Sequence, residues 1–221
     1  MGELVVAVDG PSGSGKSSTA RGVASRLGLR YLDTGAMYRA VTWALLQRGI
    51  DVNDPAAVAL AAREVRIDVG TDALTPTIHA DGVDVSGPIR EQPVTSAVSA
   101  VSAVLEVRTL MVRCQREAIG TGGIVIEGRD IGSVVAPDAD LKVFLVADPG
   151  ARAARRAAEQ GKSAEVAATE ADMARRDAYD SSRTASPLSQ AADAIVVDST
   201  SLSLEQVIDA IVDLVPTGSR P

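Results

Sequence analysis

The residues best equipped for chemistry stand in one unbroken string, Gly10-Pro11-Ser12-Gly13-Ser14-Gly15-Lys16-Ser17, which meets the G-x-x-x-x-G-K-[ST] spacing at every position. Three glycines let the backbone wind into a nest whose N–H groups point inward and donate to phosphate oxygens. Lys16 supplies a point charge for β- and γ-phosphates, Ser17 offers a hydroxyl to Mg²⁺, and Ser18 begins a helix whose positive end faces the same anion. The chemistry expected of this string is the binding of a nucleoside triphosphate, with ATP the leading candidate.

Such a loop needs a strand before it and a helix after it, and the pattern supplies both. Residues 4–8 form an apolar run of strand length, and 16–27 read as a helix. A short strand near 29–32 and a helix over 35–47 continue a βαβα order, which predicts a parallel sheet covered on both faces by helices. Another helix opens after Asn53-Asp54-Pro55, with Asp54 placed to cap and Pro55 in the first turn, and runs to about Arg63. There the rhythm breaks. Residues 65–69, 77–80 and 83–85 are short alternating runs parted by turn residues such as Asp81-Gly82, and read as a small antiparallel sheet inserted into the α/β domain. His79, the one histidine, falls within it, where strand pairing is favoured over catalysis.

Two helices are expected from Pro93 to Ile119, then strands at 124–127 and 141–146, the second apolar enough for burial on both faces. An alanine- and arginine-rich helix opens at Pro149 and stops at Gly161, and Ser163 is placed to cap another that ends near Asp180. A strand at 194–197, a helix at 204–214 and a frayed tail from 216 complete the reading.

Composition narrows the class. A chain of 221 residues suits one sizeable domain with insertions. Its 22 basic against 29 acidic residues give a net charge of −7, which argues against a basic face for duplex nucleic acid. Cys114 cannot form an internal disulfide, so a reducing compartment is expected, and its amphipathic surroundings suggest a buried structural thiol rather than a nucleophile. Trp43 sits on an apolar helix stripe and reads as core rather than as a base-stacking platform. No apolar stretch approaches the ~20 residues of a membrane span, and the N-terminus lacks the pattern of a signal peptide. A cytoplasmic monomer acting on small molecules, with neither nucleic acid nor membrane as partner, is the expectation.

Beyond the loop, Asp33-Thr34-Gly35-Ala36-Met37-Tyr38-Arg39 places a hydroxyl, an aromatic ring and an arginine at the start of the second helix. Further blocks are 84–90 (Asp-Val-Ser-Gly-Pro-Ile-Arg), 127–132 (Glu-Gly-Arg-Asp-Ile-Gly), 175–183 (Arg-Arg-Asp-Ala-Tyr-Asp-Ser-Ser-Arg) and 186–188 (Ser-Pro-Leu). In this order they make the chain similar to the bacterial cytidylate kinases, a branch of the nucleoside monophosphate kinases, from residue 5 to residue 214. The resemblance implies an α/β fold: a P-loop NTPase-like parallel sheet flanked by helices, a small antiparallel sheet inserted in the monophosphate-binding region, and a helical lid. It divides a single kinase domain into a core (about 1–62, 104–150 and 184–215), a monophosphate-binding insert (about 63–103) and a lid (about 151–183).

The activity implied is transfer of the γ-phosphoryl group of ATP to CMP, and to dCMP, with Mg²⁺ and without a phosphoenzyme. The acceptor oxygen is already anionic, so such transfer needs charge screening and in-line alignment more than a base, and arginines should outnumber histidines in the site. The resemblance carries the acceptor site onto Thr34, Tyr38, Arg39, Gly87, Ser99, Arg108, Arg129, Asp130, Arg176, Asp180 and Arg183. It gives catalysis to Lys16, Arg129, Arg176 and Arg183. ATP falls to Gly10, Pro11, Ser12, Gly13, Ser14, Gly15, Lys16, Ser17 and Ser18, with Arg152, Arg155 and Arg156 of the lid.

Cytosine offers an amino donor at C4 and an acceptor at N3, so Asp130 would accept from it while Arg108 and Ser99 donate. Arg39 and Arg129 would clamp the acceptor phosphate. Glu127 stands where the family often carries aspartate, and would reach the Mg²⁺ held by Ser17 through water. For several positions a plainer reading stays open: Ser99 as a small helix residue, Glu127 as a cap, Arg176, Asp180 and Arg183 as a surface ion network, and the lid arginines as a solvent face. A related kinase acting on UMP or AMP, or a nucleotide-binding switch without turnover, also remains open on the sequence.

Overall fold

A computed structural model describes residues 3–159, 166–182 and 188–216. The elements in chain order are β1 (Val5–Asp9), α1 (Lys16–Leu27), β2 (Arg30–Asp33), α2 (Thr34–Gln47), α3 (Pro55–Ala62), β3 (Ile67–Val69), β4 (Ile78–Ala80), β5 (Val83–Asp84), α4 (Gln92–Ala103), α5 (Leu105–Ile119), β6 (Ile124–Gly128), β7 (Leu141–Val146), α6 (Pro149–Glu159), α7 (Val166–Ser182), β8 (Ile195–Asp198) and α8 (Leu204–Leu214). The larger sheet runs β2-β6-β1-β7-β8, and the smaller is β3-β4-β5. Two compact units emerge, one of residues 1–30 and 121–221, the other of residues 31–120.

In the first unit β1 is the central strand, parallel to β6 on one side and β7 on the other, and β8 extends the sheet beyond β7. The central position explains the composition. A parallel strand with neighbours on both edges and helices on both faces must be apolar throughout, and Val6, Ala7 and Val8 are buried completely or nearly so. β1 and β6 both end at the glycine loop's level, since Asp9 stands opposite Gly128. α1 follows Gly15, whose φ of 89° only glycine adopts readily, and no side chain among the described residues caps it. An uncapped helix start of this kind presents its first-turn N–H groups outward, as anion-binding helix termini do. At its far end Arg26 pairs with Glu205 and Asp209 of α8, and α8 opens with a Ser203/Gln206 capping box.

In the second unit β3, β4 and β5 pair antiparallel, with His79 opposite Asp68 and Asp84. Asp81 and Gly82 both have positive φ and close the two-residue turn between β4 and β5, as a primed hairpin turn requires. Asp33 caps α2 by accepting the Ala36 N–H at 2.8 Å. Asp54 caps α3 through the Ala56 and Ala57 N–H groups, with Pro55 at the first position.

Element boundaries differ from the expected ones by up to about three residues, and several details differ in kind. A 3₁₀ turn at Pro88–Arg90 and a π-helical turn at Ile131–Val135 had no sequence signal. Trp43 and Cys114 are half-buried rather than core, because each lies at the flank of its helix's buried stripe. Burial still pushes the Cys114 thiol up, which disfavours the thiolate. The expected stop at Gly161 and cap at Ser163 lie outside the described residues. Among the described residues no single helix is long and apolar enough to cross a membrane. Only α4 and α5 taken together have the composition, and they meet at 95°.

Candidate active site

The glycine loop of the first unit brings together most of the charged groups expected there. Lys16 is buried, and its Nζ donates to the loop's own Pro11 O at 2.7 Å. Burial pushes its ammonium down to about 7, and the Arg129 guanidinium adds to the fall, while Glu127, Asp177 and Asp9 oppose it. Arg129 follows β6 and is held from two sides, Nε donating to Asp180 Oδ2 at 3.0 Å and Nη1 to Gly10 O at 2.8 Å. Arg176 on α7 is pushed down by burial and by Arg129, with Asp180 opposing, and its Nε is buried without a hydrogen-bond partner among the described residues. Arg129 thus depresses both Lys16 and Arg176, and positive charge gathered in a buried place suits the binding of an anion.

Asp9 holds this arrangement from below. Its Oδ1 accepts the Ile131 N–H at 2.9 Å and its Oδ2 the Gly132 N–H at 2.8 Å, which fixes the π-helical turn immediately after Arg129 and Asp130. Burial pushes its carboxyl up to about 6, against the two N–H groups and Lys16, with Asp130 adding to the rise. Sequence reasoning assigned Asp9 no role of its own. The available signal was a carboxylate closing a fully buried parallel strand, where open α/β sheets place their ligands.

The second unit gathers the other expected side chains on α2, α4 and α5. Thr34 occupies the first position of α2 and is buried, with Tyr38 one turn on. The Arg108 guanidinium lies 5.5 Å from the Tyr38 ring centroid, over its face. Its Nη1 donates to Ser102 O at 3.4 Å, and Ser102 Oγ in turn donates to Ser99 O at 3.1 Å. Arg39 is oriented differently, Nη1 donating to Ile89 O and Thr95 Oγ1, each at 3.0 Å. Thr95 was not singled out in the sequence. Gly87 is exposed at the start of the 3₁₀ turn that presents Ile89.

The cytidylate kinase family model matches residues 6–217. The chain belongs to the cytidylate kinase family. It is 58% identical over 214 residues to the cytidylate kinase of Streptomyces griseus, covering 96% of this chain and 92% of that one. Identity is 53% over 212 residues to the cytidylate kinase of Nocardia farcinica, with 94% and 91% covered. The corresponding enzyme of Corynebacterium diphtheriae is 48% identical over 218 residues, with 97% and 95% covered. A solved structure of an uncharacterized protein from Eubacterium ventriosum aligns with a TM-score of 0.50 at 10% identity, over 97% of this chain and 99% of that one, a likeness of fold alone.

Within this cytidylate kinase fold the three arginines of α6 that were expected at ATP, Arg152, Arg155 and Arg156, have different partners. Arg152 Nη1 donates to Ser12 O at 2.8 Å and to Asp177 Oδ2 at 2.5 Å, directly on the loop. Arg155 turns to the connection after β8, donating to Ser199 Oγ at 3.0 Å and Ser199 O at 2.6 Å. Ser199 Oγ in turn lies 3.2 Å from Ser14 O, so Arg155 meets the loop only through Ser199. The charge of Arg156 acts on Arg176. Ser17 and Ser18 are exposed in the first turn of α1, and Glu127 is buried on β6 opposite Val8. Asp130 and Asp180 are buried, and Arg183 lies outside the described residues.

The donor set bears on the metal. No group of three or more His, Cys, Asp or Glu that could hold an ion occurs among the described residues. One exposed hydroxyl at a phosphate loop suits Mg²⁺, which keeps several waters and takes substrate phosphates rather than an all-protein cage.

Proposed function

We propose that the chain is a (d)CMP kinase that moves the γ-phosphoryl group of ATP onto CMP, and onto dCMP as a second acceptor, giving ADP and CDP or dCDP. The observation that carries this reading is the burial of Lys16 at the end of a glycine loop beside Arg129, which in turn acts on Arg176. Membership of the cytidylate kinase family supplies the acceptor. Lys16 leaves Pro11 O for the phosphates, whose negative charge raises its pKa and keeps it an ammonium. Arg129, Arg176 and Arg183 stabilise charge on the transferring group, and Asp180 orients Arg129 and receives ribose hydroxyls. When bound, Mg²⁺ supplies charge screening on the ATP phosphates; Ser17 would hold it, and Glu127 would reach it through water.

Thr34, Tyr38, Arg39 and Gly87 bind the acceptor. Asp130 accepts the cytosine amino group, while Arg108 and Ser99 donate to the base. Uracil presents a carbonyl where cytosine presents the amino group, and so offers that buried carboxylate no donor. The enzyme works in the cytoplasm as a monomeric kinase domain, with 63–103 as acceptor insert and 151–183 as lid. The net charge of −7 supports small nucleotides rather than nucleic acid as its partners. Incubation with ATP labelled at the γ-position should move the label into CDP, in step with ADP and with none on the protein. Label retained on the protein, or ADP formed without CDP, would sink the reading.

A further inference from the structure

Asp177, one residue after Arg176 on α7, has no task in the transfer derived above, yet it grips the glycine loop. Its Oδ1 accepts the Ser12 N–H at 3.0 Å, and its Oδ2 accepts from Arg152 Nη1 at 2.5 Å. The same Nη1 donates to Ser12 O at 2.8 Å. Both polar groups of the Ser12 backbone are thus committed to a carboxylate and a guanidinium from two helices. The side chains are only 11% and 16% exposed, so this is no loose surface pair. The packing continues at the next residue, where a Cβ on Gly13 would meet Met173 Cε at 2.5 Å and Arg152 O at 3.0 Å. Arg152 Nε is buried and has no hydrogen-bond partner among the described residues, so part of its fork is unused there while Nη1 is fixed.

We propose that Asp177 is a positioning residue for the ATP side of the reaction. It fixes the Ser12 end of the loop and aims Arg152, so that the N–H groups from Gly13 onward and the rest of the guanidinium are preset for a triphosphate. The inference rests on the reading that the loop and Arg152 bind ATP. A latch that must open for ATP would use the same contacts with the opposite sign, since losing the carboxylate would then tighten ATP binding.

The test measures MgATP affinity by calorimetry, KM for CMP, and thermal stability in Asp177→Asn, Arg152→Ala and the double variant. Asp177→Asn should weaken MgATP about tenfold and leave KM for CMP within about twofold, and the double variant should be no weaker than the worse single one. Should Asp177→Asn fail to fold, Asp177→Glu, which keeps the charge on a longer arm, is measured against Arg152→Ala in its place and should show a smaller loss of the same selectivity. Unchanged or tighter MgATP, additive losses, or equal losses for ATP and CMP with a fall in Tm would overturn the proposal. Calorimetry needs no turnover, so a wild-type protein that binds MgATP but forms no CDP would refute the kinase reading and leave this one standing.

Discussion

The two compact units hold the cationic side chains proposed for nucleotide binding in different surroundings. In the first, backbone N–H groups of a glycine loop stand beside side chains whose charges are buried against their own preference: Lys16 is pushed down to about 7, Asp9 up to about 6, and Arg176 below its usual value. In the second, Arg39 donates to the Ile89 carbonyl and the Thr95 hydroxyl, while Arg108 donates to the Ser102 carbonyl and lies over the Tyr38 ring. The contrast fits the work proposed for each. A triphosphate brings several negative charges that relieve a buried ammonium, whereas recognition of one base and one monophosphate depends on where individual donors point.

The sharpest way to break this contrast is Lys16→Met. Its kcat for CDP formation should fall at least about 10³-fold, equivalent to about 4 kcal/mol of transition-state stabilisation. The same variant should be the more stable protein. A lysine whose folded pKa lies near 7 contributes stability that is present above its unfolded pKa of about 10.5 and lost as pH falls to 7. The Tm advantage of Lys16→Met should therefore grow from pH 10.5 down to 7 in thermal melts. A variant no more stable at pH 7 would remove the burial penalty from the account.

Asp9 gives the next largest effect. Its folded pKa of about 6 exceeds its ordinary 3.8, so its contribution is fully present below pH 3.8 and lost as pH rises through 6. Chemical denaturation of Asp9→Asn against wild type should show the gap moving toward the variant between pH 4 and 6, by about 3 kcal/mol at most. A flat difference would mean that Asp9 is not buried as described.

In the second unit, Arg39→Ala should raise KM for CMP about 30-fold, equivalent to about 2 kcal/mol, and leave MgATP affinity within about twofold. Parallel loss of both affinities would blur the division of labour. The smallest effect concerns Gln115, whose buried amide finds no hydrogen-bond partner among the described residues. Unlike the buried groups of the loop it has no task here, so Gln115→Leu should stabilise the protein by about 1 kcal/mol without changing turnover.

What the sequence revealed follows the range of the interactions. The loop, the limits of α1, the Asp54-Pro55 start of α3 and the Asp81-Gly82 turn all depend on neighbours within a few residues, and local chemistry gives them away. Asp9 and Gly132 lie 123 residues apart, and Ser12 and Asp177 165, so no local pattern joins them. The arginines of α6 were legible as a group but not one by one. Arg152 and Arg155 are three residues apart on one helix, and only the packed structure directs the first to Ser12 and the second to Ser199. In the second unit the resemblance named Arg39, but Thr95, which orients it, stood among small helix residues with nothing to mark it.

The central claim is that CMP is the acceptor and that polar pairing to its base selects it. The direct measurement is kcat/KM for CMP, dCMP, UMP and AMP with MgATP, in wild type and in Arg108→Met. The account predicts CMP and dCMP favoured over UMP by at least about 100-fold, with that ratio collapsing in the variant. UMP or AMP used as well as CMP, or a ratio untouched by Arg108→Met, would contradict it.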